Sequence, residues 1–355
     1  MLKNFLCVGV ALVLAACGTT LQTQTVTSEE MTSEATKQRQ FALMEQREVD
    51  KRVQEVGFKV LKAGVPLCGE DTTYNWGVTF WNEYDFDSEW RAPAKAELGV
   101  TKAVSVKLVV PQSAAAKAGL KANDQILKIN DYEVGQGSNA VKNADKYTES
   151  LKKNTPSAPV SIVYARGDVI NTATLNPIEI CDSPVLLQDT FEVNAYADGT
   201  RIIITRGIVE FTKNDDELAM IIGHELAHNL LSHIEKKQAQ MTAGMLGGLL
   251  LDVLIGSGGE MTNMGAQIGA NAYSPEYESE ADYMGLYATA LAGYDIAKAP
   301  YLWRRMGARN TGSIAMTSTH PPTAERFVAL EKTVAEITTK IENSQPLVPE
   351  RKLQE

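Results

Sequence analysis

The period of the apolar positions changes along the chain, and the changes divide it into segments. Over residues 215–234, Leu218, Ile221, Ile222, Leu226, Leu230 and Leu231 recur at helical spacing and cover more than one face. This predicts a helix buried nearly all round. Asp215 and Asp216 offer an N-cap and suit the positive end of the dipole. Residues 28–62 predict another helix, with Phe41, Met44, Val53, Val56 and Val60 at irregular helical spacing and Pro66 ending it. Packed helix and solvated connector are both open for it.

From residue 68 to about 180 the pattern turns to short strands. Residues 104–110 alternate, 138–151 read as a helix, and 159–165 and 169–175 read as a hairpin joined at Arg166-Gly167-Asp168. Residues 241–272 are rich in Gly, Met and Leu, but Asp252 and several glycines interrupt them, so they predict no membrane span; a core helix is the first reading, with a flexible lid or membrane-facing loop as the alternative. The tail after Asn343 holds prolines and charges and predicts disorder.

The chemistry concentrates in the first of these helices. Three of the four histidines, His224, His228 and His233, lie within ten residues, and the first two frame Glu225 in the string HELAH. Histidines four apart share a helix face, so both imidazoles reach one metal ion, with Glu225 about a quarter turn away as general base for a metal-activated water. A buried carboxylate is costly, and a bound cation would offset that cost. On a continuous helix His233 falls well off the shared face and reads as structural. Buried core histidines without a metal are the bland alternative.

A catalytic zinc needs three protein ligands. The segment Ser274-Pro-Glu-Tyr-Glu-Ser-Glu-Ala-Asp282 is the best source of the third. Pro275 can start a helix. Glu278 and Asp282 are four apart, so Glu278 can bind the metal while Asp282 accepts the second N–H of a liganding histidine. Composition alone leaves Glu276 and Glu280 as competitors.

The runs DDELAMIIGHELAHNLLSH, ESEAD with a following glycine, and THPPTAER together resemble the zinc metallopeptidases that include HtpX and the CaaX prenyl endopeptidase. These are gluzincins whose third ligand is the Glu of an E-x-x-x-D motif. The resemblance covers about residues 183–342. It implies one zinc ion per chain held by His224, His228 and Glu278, with Glu225 as catalytic base and Asp282 supporting a ligand. Asn194-Ala195 and the strand 201–205 also match the family pattern, and that strand is expected to hold substrate by edge pairing. His320, in a loop ordered by two prolines, reads by itself as a solvated histidine. The resemblance adds two roles for it: stabilising an oxyanion, or serving as a fourth ligand that keeps the enzyme latent. Arg326 in the same block is expected to orient a nearby carboxylate.

The N-terminus reads as a processing segment. Residues 5–16 are apolar and too short to span a membrane comfortably, and they end in Leu14-Ala15-Ala16-Cys17-Gly18. This resembles a bacterial lipobox, which implies cleavage before Cys17, lipid on Cys17, and sorting to a Gram-negative outer membrane facing the periplasm. Cys68 and Cys181 then remain in an oxidising compartment, where either a disulfide closing the middle region or two free thiols is expected. A formal net charge of -10 argues against nucleic acid as a partner.

The middle region is similar to a PDZ domain through Ser113-Ala-Ala-Ala-Lys-Ala-Gly119 and Asp124-Gln-Ile-Leu-Lys-Ile-Asn130. Asn123 and Asp131 stand where glycine is usual, and both residue types tolerate turn conformations. Residues 76–80 and 98–100 compete for the peptide-carboxylate loop.

The expected fold is α+β. A signal peptide (1–16) precedes a linker and helix (17–65), a PDZ-like β-rich domain (68–181), a mainly helical gluzincin domain with a small edge sheet (183–342) and a disordered tail (343–355). The expected function is zinc-dependent endoproteolysis of unfolded or misassembled envelope polypeptides by a lipid-anchored enzyme. The alternatives are a non-catalytic chaperone or assembly factor and a latent protease gated by His320.

Overall fold

A computed structural model describes residues 24–255, 274–309 and 324–350. The signal segment 1–16, Cys17, residues 256–272 of the Gly-rich stretch and His320 lie outside the described residues. The fold is α+β: a PDZ-like sheet domain followed by a mainly helical domain with small sheets.

The chain opens with helix α1 (Ser28–Ala63), started by a reciprocal capping box between Thr27 and Glu30. Its second half is packed. Val53, Val56, Val60 and Leu61 share one core with Leu218, Ile221, Ile222 and Leu226 of the HELAH helix. Arg52 adds an ion pair to Asp215 at 2.7 Å. This part of the 17–65 segment therefore belongs to the core of the helical domain. A four-residue turn of helix, α2 (Val65–Cys68), follows.

Strands β1 (Thr72–Asn75) and β8 (Ile178–Cys181) pair antiparallel at the base of the PDZ-like region. Cys68 and Cys181, with Cα atoms 5.7 Å apart, form a disulfide beside them. Between these ends run β2 (Val78–Trp81), β3 (Ser105–Val109), β4 (Gln125–Ile129), β5 (Tyr132–Glu133), β6 (Val160–Arg166) and β7 (Val169–Leu175). They form one sheet in the order β2-β3-β4-β6-β7, with β5 paired to β4. Helices α3 (Ser88–Leu98), α4 (Ala114–Lys117) and α5 (Ala140–Asn154) are interleaved with these strands. Asn123 does adopt a left-handed backbone (φ 68°), as a residue replacing glycine must. Gly77 is left-handed too, and a Cβ there would lie 2.1 Å from Ser113 Cβ. Of the two glycine turns offered for a carboxylate loop, Gly77 directly precedes the edge strand β2, whereas Gly99 only caps α3.

Past Cys181, β9 (Val185–Gln188), β10 (Ala195–Ala197) and β11 (Ile202–Thr205) form a three-stranded sheet. Here the structure corrects the expectation for the strand at 201–205. β11 is central, parallel to β9 and antiparallel to β10, and all four of its residues are buried. Its hydrogen-bonding groups are engaged on both sides, so it offers no edge. Among the described residues β10 is paired on one side only.

The remaining helices are α6 (Arg206–Phe211), α7 (Asp215–Leu230), α8 (His233–Ile255), α9 (Pro275–Leu291), α10 (Ala299–Arg309) and α11 (Ala324–Glu342). Residues 343–350 depart from the expected disorder. Leu347 packs on the main core. Lys340 Nζ donates to Val348 O (2.8 Å) and pairs with Glu350, while the Glu350 N–H donates to Tyr283 Oη at 2.9 Å. Proline and charge pointed to solvent, but one apolar side chain and a lysine clamp hold this segment down.

Candidate metal centre

The site is built where α7 crosses α9. Helix α7 begins at Asp215, as the apolar spacing predicts, but the Asn214 side chain, not an aspartate, caps it by accepting the Glu217 N–H at 3.0 Å. Asp215 and Asp216 occupy the first turn, where they still face the positive dipole end. Every residue from Glu217 to His228 is buried. Ser274 caps α9, with Pro275 at its first position. The two helices approach closely because Gly223 and Gly285 meet. A Cβ on Gly223 would lie 2.7 Å from Gly285 O, and one on Gly285 would lie 2.8 Å from His224 N.

This approach brings His224, His228 and Glu278 together, all fully buried. His224 Nε2 lies 3.1 Å from His228 Nε2. Glu278 Oε2 is 3.6 Å from His224 Nε2, and Oε1 is 3.4 Å from His228 Nε2. Ligands held at zinc's usual 2.0–2.1 Å in a tetrahedron stand about 3.3 Å from one another. The three spacings fit that edge length. The donor set gives a second test: two imidazoles and a carboxylate converging in a buried site are the ligand types of a catalytic zinc centre. The site fits a zinc ion.

The second nitrogens of the two histidines meet different partners. His224 Nδ1 lies 3.0 Å from Asp282 Oδ1. Asp282 is held in turn by Arg326, through Nε at 2.8 Å and Nη2 at 2.9 Å, and Arg326 Nη1 reaches Glu278 Oε2 at 2.7 Å. Arg326 thus orients two carboxylates of the centre and lies over the Trp303 ring. Burial pushes the His224 imidazole down, but Asp282 and Glu278 outweigh it and raise it to about 10. Burial pushes Asp282 up, yet Arg326 and His224 hold it below the ordinary aspartate value.

Glu280, a compositional competitor for the third ligand, and Glu276 both sit on α9 away from this cluster. Glu280 Oε2 lies instead 3.2 Å from His233 Nε2. His233 is fully buried, and its Nδ1 is 3.0 Å from His228 Nδ1. Projection along an unbroken helix over 215–234 could not show this contact. Helix α7 stops at Leu230, and Ser232 takes a left-handed backbone (φ 53°) that resets the phase before α8. The sequence signals missed were this break and the glycine pair; a Gly on each of two buried helices marks a close crossing.

Two regions of the chain are similar to known protein families. Residues 170–334 match the model of Peptidase family M48, and residues 105–166 match the PDZ domain model. The mitochondrial metalloendopeptidase OMA1 of Schizosaccharomyces pombe is 30% identical over 150 residues, covering 41% of this chain and 44% of that protein. The beta-barrel assembly-enhancing protease of Yersinia pestis is 27% identical over 127 residues, covering 32% and 26%. Its namesake in Escherichia coli K12 is 26% identical over 116 residues, covering 29% and 24%. The chain matches less than half the length of each of these relatives. The chain is therefore similar to Peptidase family M48 over residues 170–334 and to a PDZ domain over residues 105–166.

Proposed function

We propose that the protein is a zinc-dependent endopeptidase of a Gram-negative cell envelope, acting on unfolded or misassembled envelope polypeptides. The observation that carries this reading is the buried His224–His228–Glu278 triangle with Glu225 on the same helix. Zinc held by His224, His228 and Glu278 would supply Lewis acidity and lower the pKa of a water. Glu225, buried next in sequence to His224, would take a proton at its carboxylate and deliver it to the departing amine nitrogen. No side-chain nucleophile is required. Asp282 fixes the tautomer of His224, and Arg326 orients Asp282 and Glu278. The unpaired side of β10 is the strand edge on which an extended substrate would lie.

The envelope assignment rests on the lipobox-like run ending at Cys17 and on bacterial relatives named for enhancing β-barrel assembly. Among the described residues no helix is long and apolar enough to cross a membrane. The reading therefore places the protein at the outer membrane through lipid on Cys17, with the PDZ domain presenting chain ends to the peptidase. The test is Glu225→Gln on the purified full chain. Cleavage of unfolded casein is expected to vanish while elemental analysis still finds one zinc per chain. A Glu225→Gln protein that fully rescues a deletion strain would replace proteolysis with the chaperone reading.

A further inference from the structure

The two histidines of the metal triangle are supported unequally. His224 meets a carboxylate directly, whereas His228 meets another imidazole. We infer that His233 is a positioning residue for His228, with Glu280 as the outer carboxylate of the same relay. The inference rests on the metal-site reading above.

The argument is one of tautomers. His228 Nε2 faces His224 Nε2 and Glu278, so the lone pair offered to a metal is on Nε2 and the ring proton sits on Nδ1. That N–H points at His233 Nδ1, 3.0 Å away, which must accept it. A neutral imidazole that accepts at Nδ1 carries its own proton on Nε2. There it meets Glu280 Oε2 at 3.2 Å. Each donor thus finds one acceptor, and the series ends on a carboxylate that is 52% exposed. His233 is in turn held flat against Tyr277, with ring centroids 4.6 Å apart and planes 17° from parallel. Tyr277 is fixed by Gln240, whose Nε2 donates to its Oη at 2.9 Å. The left-handed Ser232 turns His233 back towards His228, so the relay needs the break between α7 and α8. Partners of metal-bound histidines orient the ring and raise its basicity, and losing one costs about 10–100-fold in metal affinity or activity.

The experiment measures zinc dissociation by chelator competition on the full chain, with the visible spectrum of the cobalt-substituted protein as a second readout. His233→Ala is expected to weaken zinc binding by about 10–100-fold and to shift the cobalt spectrum. His233→Asn keeps an acceptor near the Nδ1 position and is expected to recover most of that loss, which a packing role alone would not produce. Glu280→Gln changes a half-exposed group and leaves the fold intact. It is expected to weaken zinc in the same direction by less, and it decides the matter should His233→Ala fail to fold. Zinc affinity within about twofold of wild type in His233→Ala, or in Glu280→Gln where the first variant is unfolded, overturns the inference. So does an Asn variant as weak as Ala. Wild-type protein that binds no zinc sinks the metal-site reading and this one together; tight wild-type binding with unaltered variants sinks this one only.

Discussion

In the PDZ-like domain the buried cluster is apolar: Val104, Val106, Ile126, Ile129, Val160, Ile162 and Leu175. Its two-pronged ion pair, Arg166 to Asp124 at 2.7 Å, leaves the arginine 40% exposed. The helical domain encloses His224, His228, His233, Glu225, Glu278, Asp282 and Arg326 beside a large apolar core. The first domain gains stability from what it buries. The second gives some up, because buried ions are worth less than well-packed apolar side chains and break badly when one partner is removed. The contrast separates a region selected for shape from one selected for chemistry.

The contrast can be broken by exchanging effects between the two domains. The largest expected effect is on turnover. Glu225→Gln should lower the rate of peptide hydrolysis by about 10²–10⁴-fold with little change in urea stability. Ile126→Ala should do the reverse, costing about 2–5 kcal/mol of stability while the rate on a short peptide is kept below the unfolding transition. A loss of turnover in the second variant equal to that in the first would erase the distinction.

Next comes Arg326→Ala, which strands Glu278 and Asp282 without their guanidinium. It should destabilise the protein by about 3–5 kcal/mol in urea titration, more than Arg166→Ala at the PDZ surface. Gly285→Ala forces a methyl group against His224 N and should cost about 1–3 kcal/mol together with measurable zinc affinity. An alanine there that binds zinc normally would show that the crossing has room to spare.

The smallest effect is a pH dependence of the zinc-free protein, followed by its melting temperature. His224 is raised from an ordinary 6.5 to about 10, so its contribution is complete below 6.5 and fades as pH rises through about 10. Asp282 is held below an ordinary 3.8, so its contribution is complete above that value and fades as pH falls through the native one. Stability from this pair should be greatest between 3.8 and 6.5 and decline on both sides. Zinc needs the neutral imidazole, so its binding should release a proton and strengthen towards higher pH. A melting temperature flat from pH 6.5 to 10 in zinc-free protein would remove His224 from this account.

How much was legible depends on how local each feature is. The i,i+4 spacing of His224 and His228, and of Glu278 and Asp282, is a property of one helix at a time and could be read directly. So could the alternation of the PDZ strands and the left-handed demand at Asn123. The position of β11 inside its sheet was not legible, since a buried apolar run looks alike at an edge covered by other groups and at the centre. The ordering of 343–350 escaped for a related reason: it rests on Leu347, Lys340 and Tyr283, which meet only across the fold.

By itself, the sequence determined which residue types face the same way along each helix, because backbone periodicity needs no partner. Motif resemblance singled out Glu278 over Glu276 and Glu280 and set Arg326 beside a carboxylate, but tertiary structure alone decided that Arg326 holds two carboxylates and that His233 returns to His228. Those outcomes depend on a glycine crossing and a left-handed serine that fix distances between segments, and distance between segments is what a one-dimensional pattern does not contain.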